Sequence, residues 1–151
     1  MSAPTIEDVR EEYRAATDDI WNEGNLDAID EMYGDDMVMH DIAEGADYHG
    51  RDRFKEWAAN ILEAFPDLHI EMDDVLVGER KATMQWTFSG THDGPLHATE
   101  DIVIDPTNES VRFEGATILA SDGDRVTEAW WYYDMYGMLQ QLGVFPGDST
   151  G

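Results

Sequence analysis

The chain contains no cysteine, which excludes disulfides, thiolate metal sites and cysteine nucleophiles together. Any chemistry falls to oxygen and nitrogen groups. Basic residues are almost as scarce: nine against 34 acidic ones, with Lys55 and Lys81 the only lysines, for a formal charge of -25. A phosphate-binding surface needs basic clusters, and without them neither nucleic acid nor an anionic membrane is expected as a partner. No apolar run approaches the roughly 20 residues of a membrane span. The opening MSAPTIEDVR lacks the basic start and apolar core of a signal peptide, so a soluble, cytoplasmic protein is expected. Also missing are a phosphate loop, a dinucleotide fingerprint, HExxH and GxSxG.

What is present begins with the placement of the acid. An acidic tail would concentrate charge in a block, whereas these carboxylates are scattered between apolar positions throughout. Dispersed acid with little lysine reads as adaptation to high salt, where a Debye length of about 3 Å at 1 M quenches self-repulsion. The composition resembles that of haloarchaeal proteins; an acidic mesophile protein is the alternative. The length of 151 residues fits one domain with a real core, and residues 146–151, PGDSTG, read as a frayed tail.

Ile6, Val9, Tyr13, Ala16 and Ile20 recur at spacings of three and four, which predicts a helix over 6–23 with a capping box at Thr5 and Asp8 and a stop at Gly24. A shorter helix follows from Asn25, carrying Leu26, Ile29 and Met32. Phe54, Trp57, Ile61 and Phe65 mark a third, ended by Pro66. Between them Met37–Asp41 is a short strand. From residue 68 the period becomes two, and a parity shift between Met72 and Val75 places a bulge near Asp73 and Asp74. Further strands are predicted over 82–88, 98–104 and on either side of the SDGDR turn. Helices followed by hairpins give an α+β domain, with N-terminal helices packed on a curved antiparallel sheet.

The last strand carries Glu128, Trp130, Tyr132 and Asp134 on one face and Thr127, Ala129, Trp131 and Tyr133 on the other. Both faces are rich in aromatics. One must meet the helices, and the other, exposed, would be a large sticky patch, so packing against a second copy and a homodimer are expected.

Candidate site residues are isolated polar groups on apolar faces. His92 shares the parity of Trp86 and Phe88, which carries its ring inward just beyond a strand end; it suits an acid or base near neutral pH, or a turn histidine bonding its own backbone. Asp134, between an aromatic strand and the closing helix, is either a desolvated general base or that helix's N-cap. His40 with Asp41 and the nearby His49 form too loose a spacing for a metal site. His69 reads as solvent-facing. Trp21, Trp57, Trp86 and Trp130, on faces that should converge, would line a broad apolar cavity, with Thr117, His40 and Tyr48 supplying hydrogen bonds.

Taken together, WNEGNLDAIDEMYGDDMVMHD, GRDRFKEWAANILEAFPDLHIEMDDVLVGER, MQWTFSGTHDGP and VRFEGATILASDGDRVTEAWWYYDMYGMLQQLG resemble the SnoaL-like polyketide cyclases of the nuclear-transport-factor-2-like superfamily. The resemblance spans nearly the whole chain. Its most specific pieces are AFPDL, W-x-x-x-GTH-x-G and E-x-W-x-x-x-D followed by LQQLG. It implies a cone-shaped fold around a deep apolar pocket, dimerisation, and cofactor-free ring closure by aldol chemistry in which a carboxylate moves a proton next to a carbonyl. Two departures stand out. Thr117 occupies the position of an inward acid on the penultimate strand, and threonine is no base at neutral pH; Trp131 replaces an aspartate common after the family tryptophan.

The expected protein is therefore a pocket that takes a small apolar or aromatic molecule, with His92 and Asp134 as the acid-base pair of a cyclase or isomerase. The competing expectation is a non-catalytic binding or dimerisation module. Epoxide hydrolysis would need an Asp-Arg-Asp set facing the cavity, whereas Arg112 beside Glu114 is expected to face outward.

Overall fold

The structure is a computed structural model that describes residues 5–99 and 101–144; the predicted tail at 146–151 lies outside them. Thr5 opens helix α1 (Ile6–Thr17) with the expected capping box: its hydroxyl accepts from the Asp8 N–H and the Asp8 carboxylate accepts from the Thr5 N–H, both at 3.0 Å. The predicted helix over 6–23 is interrupted, because the chain widens into a single π turn over Asp18–Asn22. The wider turn brings both Ile20 and Trp21 inward. Asn22 then clamps the turn to the sheet, donating to the Ile70 carbonyl at 2.9 Å and accepting from the Ile70 N–H at 2.7 Å. Helix α2 (Ala28–Met32) is short and buries Ile29 and Met32.

Strand β1 (Tyr33–Asp41) is longer than the sequence predicts and turns back as β2 (Ala46–His49). Helix α3 (Arg51–Ala64) buries Phe54, Trp57 and Ala58 at helical spacing. The remaining strands are β3 (His69–Val77), β4 (Lys81–Thr91), the two-residue pair β5 (Leu96–His97) and β6 (Val103–Ile104), β7 (Ser110–Ser121) and β8 (Val126–Tyr133). Helix α4 (Met135–Leu142) closes the domain and ends at Gly143, whose φ of 75° is the left-handed conformation that glycine adopts without strain.

The main sheet runs β2-β1-β8-β7-β4-β3, and β5-β6 form a separate small sheet. Two corrections to the sequence reading follow. The sheet is mixed, since β1 pairs with β8 in parallel while its other pairs are antiparallel. The single strand expected over 98–104 is instead the small hairpin, because its middle residues turn: the Ala98 N–H donates to the Ile102 carbonyl at 2.9 Å. The bulge expected at Asp73 is present as a register shift between Met72 and Asp74, and it bends the strand.

Alternation decides the sheet's inner face. Met37, Met39 and Asp41 of β1, Ala129 and Trp131 of β8, Phe113, Thr117 and Leu119 of β7, and Met84, Trp86 and Phe88 of β4 are all buried. Each large apolar side chain so buried contributes roughly 1.5–3 kcal/mol. The helices cover this face without filling it.

Candidate functional site

Between α3, the π turn and the inner face of the sheet lies a cavity of about 440 Å³. Four indoles form its wall: Trp131 stands 5.6 Å from Trp21, 5.2 Å from Trp57 and 5.7 Å from Trp86, centroid to centroid. Such ring contacts are worth about 0.5–1.5 kcal/mol each beyond burial. Phe65, Phe88 and Phe113 extend it, and Leu96 to Thr99 lie at its margin.

One end is polar. Asp41 closes β1 on the parity of Met37 and Met39 and is 1% exposed. Its Oδ1 accepts from the Glu44 N–H at 2.9 Å; its Oδ2 accepts from the Trp57 indole N–H at 3.2 Å and from the Tyr133 hydroxyl at 2.8 Å. All three donors are neutral. Burial pushes the Tyr133 phenol far above its ordinary range, and the Asp41 carboxylate beside it adds to the effect, so this hydroxyl stays protonated and remains a donor. Beside the pair, the Tyr48 hydroxyl donates to Glu44 Oε1 at 2.8 Å, and the Arg53 guanidinium lies 5.7 Å from the centre of the Tyr48 ring. Among the described residues, no group of three or more His, Asp or Glu side chains is arranged to hold a metal ion.

Of the residues expected in the site, Trp21, Tyr48, Trp57 and Trp86 line the cavity. Thr117 is fully buried next to it and accepts from the Trp86 indole N–H at 3.0 Å. The others are elsewhere. Trp130 lies on the outer face of the sheet, stacked on His40 at 5.5 Å and approached by the Lys81 ammonium at 5.7 Å; it is Trp131, one residue on, that faces inward. His40 is outside with it, held between Asp47 and Glu128 at 2.6 Å each, and these two hydrogen bonds raise its pKa.

His92 is fully buried, as its parity implies, yet it braces a loop and does not line the cavity. Its Nδ1 accepts from the Thr107 N–H at 3.2 Å and pairs with the Thr107 hydroxyl at 3.0 Å, while its ring packs 5.6 Å from Phe65. Burial lowers its pKa, against the opposing pull of the Gly94 and Ile104 backbone. Asp134 is exposed and caps α4, accepting from the Gly137 N–H at 2.8 Å. The acid-base pair expected from sequence is therefore not assembled. Asp41 and Tyr133 are the polar groups that meet at the cavity, and the signal for Asp41 was its place two residues beyond Met39 on an alternating strand.

A family model described as SnoaL-like polyketide cyclase matches residues 11–142. No curated protein sequence matches the chain significantly. Among solved structures, a candidate polyketide cyclase from Acidithiobacillus ferrooxidans is 26% identical with a TM-score of 0.74, over 95% of this chain and 98% of that one. TsrD from Streptomyces laurentii is 21% identical with a TM-score of 0.76, over 89% and 95%. A candidate SnoaL-like polyketide cyclase from Jannaschia sp. CCS1 is 16% identical with a TM-score of 0.77, over 97% and 99%. The last two likenesses speak for the fold alone.

Proposed function

Because the chain belongs to the SnoaL-like polyketide cyclase family, we propose that it is a cofactor-free enzyme moving a proton on a planar, apolar, carbonyl-bearing molecule, with Asp41 as the base. One observation carries this reading: a carboxylate 1% exposed on the wall of an aromatic cavity, accepting hydrogen bonds from three neutral donors. A molecule filling the cavity displaces water and leaves Asp41 as the acceptor for an acidic C–H. Asp41 takes the proton from the carbon next to the carbonyl, and the C–H electron pair becomes that of an enolate. The enolate then either regains the proton at another carbon, an isomerisation, or attacks a second carbonyl of the same molecule. In the second case a C–C bond forms and the resulting alkoxide recovers the proton from Asp41. Tyr133 and Trp57 hold the carboxylate in place.

The experiment separates binding from turnover. With a panel of planar aromatic ketones, Asp41→Asn is expected to keep the ligand-induced change in tryptophan fluorescence and to lose turnover by about 10²–10⁴-fold. Equal turnover in both proteins rules out Asp41 as base.

A second reading, a non-catalytic binding module, draws on the same three hydrogen bonds: a carboxylate that already accepts from Glu44, Trp57 and Tyr133 also serves as a brace. It expects ligand binding with no turnover in the unaltered protein.

The outer face of the sheet, where Trp130 is half-buried and Tyr132 is 43% exposed, is our proposed homodimer contact. A monomeric mass by light scattering would refute it. The dispersed charge of -25 supports a protein suited to a salt-rich cytoplasm, and greater thermal stability in molar potassium chloride than in dilute buffer is its test.

A further inference from the structure

Helix α3 offers the cavity a neutral polar group that the proton transfer leaves unused. Asn60 lines the cavity and is half-buried. Among the described residues its amide has no hydrogen-bond partner, yet neither its Oδ1 nor its Nδ2 is sealed from contact with a small molecule. Helical geometry fixes the side it faces. Five residues of α3 line the cavity, Arg53, Glu56, Trp57, Asn60 and Ile61. At 3.6 residues per turn they span about 140° of the helix, and Asn60 falls inside that span, between Glu56 and Arg53. Arg53 and Glu56 are exposed and Trp57 is buried, so Asn60 stands at the mouth, where β5 packs against α3 and Leu96 to Thr99 form the margin. Its place along the helix separates it from Asp41. Helix α3 starts beside β1, where the Gly50 N–H donates to the Met37 carbonyl at 2.7 Å, and ends beyond β4, where the Ala64 carbonyl accepts from the Asp93 and Gly94 N–H groups at 3.0 and 3.1 Å. Asp41 meets this helix at Trp57, and Asn60, three residues on, lies about 4.5 Å further along the axis toward β4.

We propose that Asn60 is a specificity-determining residue that binds a neutral hydroxyl group on the ligand, at the end remote from the carbon that Asp41 deprotonates. The substrate class is then a hydroxylated aromatic ketone. A hydroxyl uses both functions of the amide, donating to Oδ1 and accepting from Nδ2–H, whereas a carbonyl uses only the donor and an ionised group finds no charge in an amide to neutralise it. A few placed polar groups on an apolar wall fix a ligand's orientation, and two polar points along α3 give the molecule one direction of entry, its reacting ketone toward Asp41 and its hydroxyl at the mouth. This inference rests on the proton-transfer reading above and names the substrate class of the same cavity.

The test uses derivatives of 2-acetonaphthone carrying a hydroxyl at carbon 6 or carbon 7, each paired with the methyl compound of the same shape, and the full chain at about pH 6, well below the phenolic range. Asn60→Leu, a change that suits a helix, is expected to weaken at least one hydroxyl compound about 5–10-fold and its methyl counterpart less than about 2-fold, the difference of one neutral hydrogen bond. In the unaltered protein the same hydroxyl compound is expected to shift the assigned Asn60 side-chain NH2 resonances further than its methyl counterpart does. If the compounds bind and Asn60→Leu treats hydroxyl and methyl alike, Asn60 takes no part in recognition and the inference is wrong while the Asp41 reading stands. If none of the four binds, the cavity reading fails and takes the inference with it. Should Asn60→Leu not fold, the NH2 resonances of the unaltered protein decide, and equal shifts with both members of each pair overturn the inference.

Discussion

The Tyr133 hydroxyl donates to Asp41 Oδ2 at 2.8 Å, joining the ends of two parallel neighbouring strands that lie 92 residues apart in sequence. Burial first, and the Asp41 carboxylate second, raise the Tyr133 pKa from its ordinary 10.0. Buried Tyr33 is raised by the same main cause. Above that ordinary value an unfolded chain loses phenolic protons that the folded chain keeps, so stability falls as pH rises through it. Tyr133→Phe is expected to flatten this fall between about pH 10 and 12 without abolishing it, because Tyr33 remains. Denaturant midpoints across that range are the check; superimposable slopes would contradict the assignment.

His40 titrates in the opposite sense. Hydrogen bonds to Asp47 and then Glu128 raise its pKa above the ordinary 6.5, so the stability it contributes is complete below 6.5 and is lost as pH rises through the raised value. Its carboxylate partners are well exposed, and salt will weaken the effect. His40→Gln is expected to remove a small decline in melting temperature above neutrality. An imidazole resonance titrating at or below 6.5 would refute the clamp.

Thr117→Val keeps shape and removes the acceptor of the Trp86 indole N–H. With that donor buried and unpaired, about 1–3 kcal/mol of stability is expected to be lost. In a Trp86→Phe background the same change should cost much less. A double-mutant cycle without coupling would show that the hydrogen bond contributes nothing.

Gly115 leaves room for the cavity wall. A Cβ there would stand 2.5 Å from two Trp86 ring carbons and 2.7 Å from the Tyr132 carbonyl oxygen, so Gly115→Ala must displace Trp86 from Thr117. A loss of about 1–3 kcal/mol and an altered tryptophan emission are expected. Unchanged stability and emission would contradict this packing.

The elements were legible in the sequence where periodicity and caps agreed: the Thr5–Asp8 box, the Phe54–Trp57–Ile61 stripe and the bulge before Val75 all stand as read. The site was less so, for physical reasons. On β8 both faces carry aromatics, so alternation alone does not say whether Trp130 or Trp131 points inward; tertiary packing against Trp21 and Trp57 decides. His92 has the inward parity, but past the end of β4 the chain turns beneath Phe65 instead of continuing along the cavity. Asp134 sits where a capping aspartate and a catalytic one look alike in sequence, and the Gly137 N–H resolves it as a cap. The partnership of Asp41 with Tyr133 depends on β1 pairing in parallel with β8, a long-range contact that no local pattern announces.

The central claim, that Asp41 removes a proton next to a carbonyl, is tested most directly by hydrogen–deuterium exchange at the methyl group of bound 2-acetonaphthone in deuterated water, followed by proton NMR. Exchange faster than in buffer with the unaltered protein, and reduced to the buffer rate by Asp41→Asn while binding persists, is the expected result. Exchange at the buffer rate in the unaltered protein despite binding, or equal acceleration by Asp41→Asn, would contradict it.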